Sequence, residues 1–199
     1  MEQEIYKEKE IANFHIPRWE ELPNLDLYVD QVICFLDDAL SNYASKEKEG
    51  HVITKSMINN YVKHTVIKPA INKKYNKEHI ANLFVICILK PLYSINDIAT
   101  MIKSATKTIP MQIIYNNFCN ELEDAISAIF AGKEYIPEEQ TTFDKYVLKR
   151  VVYSFANKSY INSLTYFLSF TSPYVQPFKA FFNAYFLFFL HCKYIVTIQ

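Results

Sequence analysis

Residues 52–77 of the chain read VITKSMINNYVKHTVIKPAINKKYNK, and this stretch decides the predicted fold. It carries six lysines and no aspartate or glutamate, although basic and acidic residues balance at 21 each over the 199 residues of the chain. Such a one-sided local charge favours an anionic partner, because binding depends on where the charge lies as well as on its sum. Along the stretch, a short helical pattern is followed by a Lys–Pro break and then by a Lys–Lys–Tyr element. This order predicts a helix followed by a small basic hairpin.

The helix is predicted over about residues 54–64. Thr54 is a suitable N-cap, because its hydroxyl can accept a hydrogen bond from an otherwise unpaired backbone N–H. Pro69 is predicted to stop the helix. An apolar face that fixes a helix on its core, opposite short polar side chains that reach base edges, is what a DNA-recognition helix requires. The apolar side comprises Met57, Ile58, Tyr61 and Val62, and the polar side comprises Ser56, Asn59, Asn60 and Lys63.

The hairpin is predicted over about residues 70–77 and would act as a basic wing on the DNA backbone. Phosphate contacts position a protein on DNA, whereas contacts to base edges give sequence specificity. Tyr75 is predicted to pack on the following helix. An alternative for the whole stretch is a Lys- and Asn-rich surface that is only solvated. The candidate DNA-binding residues are Lys55, Ser56, Asn59, Asn60, Lys63, Lys68, Lys73, Lys74 and Lys77.

The flanking patterns predict a mainly α protein, namely a winged helix-turn-helix with additional C-terminal helices. Residues 25–40 repeat apolar positions at helical spacing, and Asn76 can cap an apolar helix over residues 80–89. Ser94 and Asp97 approximate a capping box for one further helix. The predicted regions are an N-terminal arm (1–24), the winged helix-turn-helix DNA-binding domain (25–108), a helical dimerisation or core-completing region (109–160) and an aromatic tail (161–199).

The region after Pro110 predicts a helix with a continuous apolar seam. Its seam residues alternate steps of four and three, which is typical of helices that pair with a copy of themselves. The sequence therefore predicts a homodimer, and packing of the same seam on its own domain stays open as the alternative. The seam residues are Met111, Tyr115, Phe118, Leu122, Ala125 and Ile129. A further helix from about Thr141 is predicted to turn Phe143, Tyr146, Val147 and Val151 inward.

The composition of the chain changes after residue 150. The last 49 residues contain no acid and hold 15 of the 31 aromatic residues. Translation in a shifted reading frame, a genuine aromatic helix and a membrane-associated segment are the alternatives. The uninterrupted apolar run over residues 180–192 is shorter than the roughly 20 residues that a spanning helix needs. We therefore expect a cytoplasmic protein, with a membrane contact left open for the tail.

Several functional classes are excluded by residue types that the chain lacks. Glycine occurs only twice, which excludes Gly-rich phosphate loops and the nucleophile elbow. The four cysteines form no C-x-x-C pair, and the histidines form no i, i+4 ligand pair. We predict no metal, no cofactor and no enzymatic activity, and we expect Cys87 to pack in the core.

The stretch ITKSMINNYVKHTVIKPAINKKYNKEHIANLFVICILKPLYSINDIATMI, with IPRWEELPNLDLYVDQVICFL before it, resembles the bacterial domain-of-unknown-function family eighteen-thirty-six. The likeness covers roughly residues 16–160, and SMINNYVK at residues 56–63 is its specific part. That family is presumed to belong with helix-turn-helix regulators. The resemblance thus implies a DNA-binding fold.

The element order is also similar to the mercury-resistance-regulator (MerR) type. Residues 54–64 resemble its recognition helix, residues 73–75 its basic wing and residues 92–98 the start of its next helix. This chain has lysines in place of the arginines usual before the wing tyrosine, which favours backbone binding over base readout by the wing. The resulting hypothesis is a dimeric transcription regulator that binds double-stranded DNA, and the alternative is a protein–protein interaction module.

Overall fold

A computed structural model describes residues 14–40, 50–107, 109–133 and 142–171, with the backbone alone described for residues 164–171. The described part is mainly helical, as predicted, with one two-stranded antiparallel sheet. The helices are α1 (Val29–Leu40), α2 (Lys55–Lys63), α3 (Lys77–Leu89), α4 (Ile95–Ala105), α5 (Met111–Phe130) and α6 (Phe143–Thr171), and the strands are β1 (Leu27–Tyr28) and β2 (Lys74–Tyr75).

Helix α3 is the centre of the core. Ten of its residues are buried, because a helix that is apolar on all sides has no face to turn to water. Its Phe84 packs edge to face on Phe35 of α1, with ring centroids 5.9 Å apart, and lies 6.3 Å from the ring of Tyr115 in α5. The prediction of a buried central helix is confirmed.

The predicted N-caps are all formed. The Thr54 hydroxyl accepts a hydrogen bond from the Met57 N–H at 3.3 Å, and the Asn76 side chain accepts one from His79 N–H at 3.1 Å. The Ser94 hydroxyl accepts from the Asp97 N–H at 3.2 Å and donates to its carboxylate at 2.6 Å. Local sequence therefore sets where α2, α3 and α4 begin.

Helix α1 begins later than its apolar pattern predicted. Leu25 is 79% exposed, and Tyr28 belongs to β1 rather than to the helix. Leu27 pairs with Tyr75 and Tyr28 with Lys74. This pairing holds the backbone before Val29 in an extended conformation, so the predicted helical positions Leu25 and Tyr28 are wrong.

The arm preceding β1 is fixed on α5. Phe14, Ile16 and Leu22 are buried. The Arg18 guanidinium donates two hydrogen bonds to the Glu123 carboxylate, at 2.7 and 2.5 Å, and the Ile16 N–H donates a third at 2.9 Å. The arm is therefore an integral part of the helical core.

The predicted seam of α5 faces the interior of its own chain. Tyr115, Phe118, Leu122, Ala125 and Ile129 are all buried there, while Met111 is partly exposed. Five of the six seam residues therefore pack within their own chain.

Helix α6 confirms one of its four predicted inward positions, because Val151 is buried, whereas two others are exposed. Phe143 is 78% exposed and Tyr146 is 43% exposed, so their predicted inward orientation is wrong. The Tyr146 ring instead carries the Arg150 guanidinium at 5.1 Å. Among the side chains of α6 that the structure describes, those buried are Val151, Val152, Phe155 and Ala156.

The chain divides into two compact units, residues 1–159 and 160–199, with the boundary inside α6. The apolar run at residues 180–192 lies outside the described residues. Among the described helices, none combines the length and apolar character needed to cross a membrane.

Candidate nucleic-acid interface

The polar face of α2 is open to solvent. Ile58 and Tyr61 are buried, whereas Ser56, Asn59 and Asn60 are exposed, as is Lys63. The Ser56 hydroxyl lies 2.9 Å from that of Thr54. Among the described residues, no side-chain partner is seen for Asn59, Asn60 or Lys63. The predicted division of this helix into a buried and an exposed face is confirmed.

Lys55, the first residue of α2, is paired with the beginning of α1. Its Nζ lies 2.6 Å from Oδ1 of Asp30, and both side chains are more than half exposed. An exposed ion pair of this kind contributes about 1 kcal/mol or less. Asp30 nevertheless reduces the positive potential at this end of the predicted recognition face.

The end of α2 does not depend on Pro69. The helix ends at Lys63, because Thr65 takes a left-handed backbone conformation with φ of 55°. The Val66 N–H then bonds back to the Tyr61 carbonyl at 2.9 Å, and Val66 and Ile67 are buried. The prediction that Pro69 stops the helix is therefore wrong, although the predicted residue range is close.

A tight hairpin follows, as predicted. Ile71 and Lys74 exchange two backbone hydrogen bonds of 3.0 and 2.9 Å across a two-residue turn. The turn residues Asn72 and Lys73 both have positive φ, 50° and 64°, as in the type I′ turns that suit two-residue hairpins. The hairpin thus presents Asn72 and Lys73 at its exposed tip.

The strand that leaves the turn is fixed from both sides. The Lys74 Nζ lies 5.1 Å from the centroid of the Tyr28 ring, a cation–π geometry. Tyr75 is buried and packs edge to face on His79 of α3, with centroids 5.4 Å apart, so its predicted packing on the next helix is confirmed. Burial raises the pKa of the Tyr75 hydroxyl.

Two further lysines of the basic stretch have partners from elsewhere in the chain. The Lys68 Nζ lies 2.9 Å from Oε1 of Glu78. The Lys77 Nζ donates to Oδ1 of Asn24 at 2.7 Å and lies 5.9 Å from the Trp19 ring centroid. The positive charge of the basic stretch is therefore partly offset by groups that lie near it in the fold. Sequence reasoning missed this, because those groups belong to other elements of the chain.

The structure joins α2 to the hairpin through the beginning of α1. Lys55 forms an ion pair with Asp30. Two residues earlier in the chain, the Tyr28 ring makes a cation–π contact with Lys74. Sequence reasoning placed Asp30 and Tyr28 in the first helix and gave neither a role in this surface. Strand pairing over 46 residues is the signal that would have found Tyr28, and it cannot be read from local periodicity.

The buried cysteines belong to the core. Burial raises the pKa of both Cys87 and Cys119 to about 12, so neither is a thiolate near neutral pH. The prediction that Cys87 packs in the core is confirmed. In the described ranges, no three His, Cys, Asp or Glu side chains come together as a metal site would need.

These features define a mainly helical protein with a short sheet that joins the strand before α1 to a basic hairpin. Residues 17–118 match the family described as Domain of unknown function (DUF1836), and the chain belongs to this family. No curated protein and no solved structure matches the chain.

Proposed function

We propose that the protein is a non-enzymatic, cytoplasmic DNA-binding transcription regulator built as a MerR-like winged helix-turn-helix. In this proposal α2 enters the major groove and the hairpin serves as the wing on the backbone. The observation that carries the proposal is the solvent-exposed polar face of α2 opposite its buried Ile58 and Tyr61.

The side chains on that face suit a DNA groove. Asparagine can bond adenine through two hydrogen bonds, so Asn59 and Asn60 are the proposed base contacts. Lysine binds phosphate as a point charge, so Lys63 and Lys73, exposed and unpaired among the described residues, are the leading phosphate contacts. Lys55, Lys68 and Lys77 would have to exchange Asp30, Glu78 and Asn24 for phosphate.

We propose that the protein binds DNA as a homodimer. Two copies that bind two half-sites would give a useful affinity, although α2 and the hairpin of each copy form only a small DNA-binding surface. Since the α5 seam is buried in its own chain, the contact between copies would use another surface. The spacing of half-sites in a selected DNA sequence would measure the dimer geometry.

The test is selection of a site from random duplex DNA by the purified full chain, followed by binding titrations at several salt concentrations. We expect log K to fall with log salt by about 0.9 for each phosphate neutralised. Lys73→Glu with Lys74→Glu should weaken binding at least about tenfold. The control is Lys103→Glu with Lys107→Glu. It reverses the charge of two exposed lysines near the end of α4 and should leave the affinity for DNA nearly unchanged.

Absent or salt-independent binding would refute the proposal, as would equal losses in the two double variants. Capture of an acidic protein that DNA does not displace would instead favour the protein–protein interaction module.

A further inference from the structure

Three side chains form a row across the small sheet. Ile71 pairs with Lys74 across the turn, and Lys74 pairs with Tyr28 of β1. Directly paired residues place their side chains on the same face of a sheet, while the next residue along each strand points to the other face. The outer row is therefore Tyr28, Lys74 and Ile71, and the opposite face holds Leu27 and the buried Tyr75.

The outer row is open to solvent at both ends. Ile71 is 64% exposed and Tyr28 is 52% exposed, with Lys74 between them. Ile71 gains little from the fold at this exposure, since apolar side chains stabilise a protein in proportion to the area they bury. Its position beside the hairpin tip leaves the side chain accessible to a partner.

The charge around the row points to an anionic partner. Lys74 lies within the row, Lys73 lies at the adjacent tip, and no carboxylate occurs in residues 50–77. Asp30 and Glu78, acids that contact lysines of this basic stretch, already pair with Lys55 and Lys68. An apolar side chain flanked by cations suits the minor groove, where apolar residues, isoleucine among them, insert between base steps.

The row also lies next to α2, the proposed recognition helix. Tyr28 is two residues from Asp30, whose carboxylate contacts the first residue of α2. If α2 lies in the major groove, the hairpin beside its N-terminus would reach the adjacent minor groove, on the other side of one phosphate backbone.

We propose that Ile71 enters the DNA minor groove as an apolar contact, and that the Tyr28 ring is a positioning group that holds Lys74 for the adjacent phosphate. This inference rests on the proposed function. It assigns a DNA role to two residues outside the set that the sequence pattern selected.

The experiment uses the full chain and its selected DNA site. Ile71→Ala should weaken binding about fivefold, and Ile71→Leu should keep most of the affinity because it keeps the apolar volume. Netropsin, a minor-groove ligand, should displace the wild type more effectively than the Ile71→Ala variant. Leu25→Ala, at an exposed position outside the row, is the matched control and should bind as the wild type does.

The Tyr28 variants separate ring from hydroxyl. Tyr28→Phe keeps the cation–π contact and should bind normally, whereas Tyr28→Ala should weaken binding about fivefold and reduce the salt slope by about one phosphate. Because Tyr28 is exposed, thermal unfolding should be nearly unchanged in both variants. A merely structural role would change the melting temperature and leave the salt slope intact.

The outcomes distinguish this inference from the function on which it rests. If Ile71→Ala and Tyr28→Ala bind as the wild type does while Asn59→Ala with Asn60→Ala weakens binding, the row plays no part and the inference is overturned alone. If the wild type binds no duplex, both the inference and the proposed function are overturned.

Discussion

The contact of the arm with α5 and the surface of α2 with its hairpin are both rich in polar groups, but they use them differently. Arg18 and Glu123 are paired by two hydrogen bonds, and each side chain is less than a quarter exposed. Asn59 and Asn60 are exposed, with no side-chain partner among the described residues. Polar groups that serve the fold are satisfied inside the chain, whereas polar groups left open are available to a partner.

The electrostatics of the arm contact follow from this pairing. Burial alone would raise the pKa of Glu123, but hydrogen bonds from Arg18 and from the Ile16 N–H outweigh it, and the pKa is lowered. The hydrogen bond with Glu123 likewise raises the pKa of Arg18. The contact is therefore strongest with both groups charged.

The largest expected effect tests the arm side of the comparison. Tyr115→Ala should lower the free energy of unfolding by about 3–5 kcal/mol, because it removes a buried ring between Trp19 and Phe84. Tyr115→Phe should cost only about 1 kcal/mol, since it keeps the ring and removes only the hydroxyl, which donates a 2.8 Å hydrogen bond to the Pro17 carbonyl and also bonds with Cys119. Urea unfolding measures both values. Equal losses in the two variants would show that the ring packing is not what stabilises the arm.

The next effect tests the α2 side. Asn59→Ala with Asn60→Ala should weaken DNA binding by about 2–4 kcal/mol, because each amide can make a bidentate base contact. The free energy of unfolding should change by less than about 0.5 kcal/mol, as is usual for exposed sites. The control is Asn117→Ala with Asn120→Ala, two exposed asparagines of α5. A large loss of stability in the α2 variant would show that Asn59 and Asn60 stabilise the fold, as Arg18 and Glu123 do, and would contradict the comparison.

Glu123→Ala should lower the free energy of unfolding by about 2 kcal/mol near neutral pH, because Arg18 loses its partner in a partly buried site. Since the folded pKa of Glu123 lies below its ordinary 4.5, its contribution is present above that value and is lost as the pH falls through the lowered pKa. The variant should therefore lose less stability than the wild type on acidification. Urea unfolding across this pH range is the measurement, and Asp124→Ala, at an exposed position on the same helix, is the control.

The smallest effect concerns Asp30, which contacts the first residue of α2. Asp30→Asn should strengthen DNA binding by about 0.5 kcal/mol, because it frees Lys55 and removes repulsion of the phosphates. Fluorescence anisotropy at low salt would detect the change, with Asp124→Asn as the control. Weaker binding in the Asp30 variant would mean that the ion pair orients Lys55 for DNA rather than competing with it.

Local signals in the sequence predicted much of this fold. The caps at Thr54, Asn76 and Ser94 and the two-faced pattern of α2 depend on residues within one or two turns, so they can be read without the tertiary structure. The burial of α3 follows from its composition alone. The exposure of the α2 candidates was predicted for the same reason.

Contacts between distant segments were not predictable in this way. The strand pairing of Tyr28 with Lys74 overrides the helical spacing that had placed Tyr28 in α1. The ion pairs of Lys55 with Asp30 and of Lys68 with Glu78 offset part of the lysine charge through residues that lie outside the basic stretch. The buried side of α5 was equally undetermined, because an apolar seam packs as well on its own chain as on a copy.

The turn at the hairpin tip carries a thermodynamic consequence. Lys73 adopts a positive φ that glycine takes without strain, at a cost of about 1 kcal/mol for a residue with a side chain. A glycine there would give a more stable hairpin without the cation at its tip. If the tip binds phosphate, Lys73 is a position where stability and activity oppose each other, and selection of variants for thermal stability alone would favour chains that bind DNA less well.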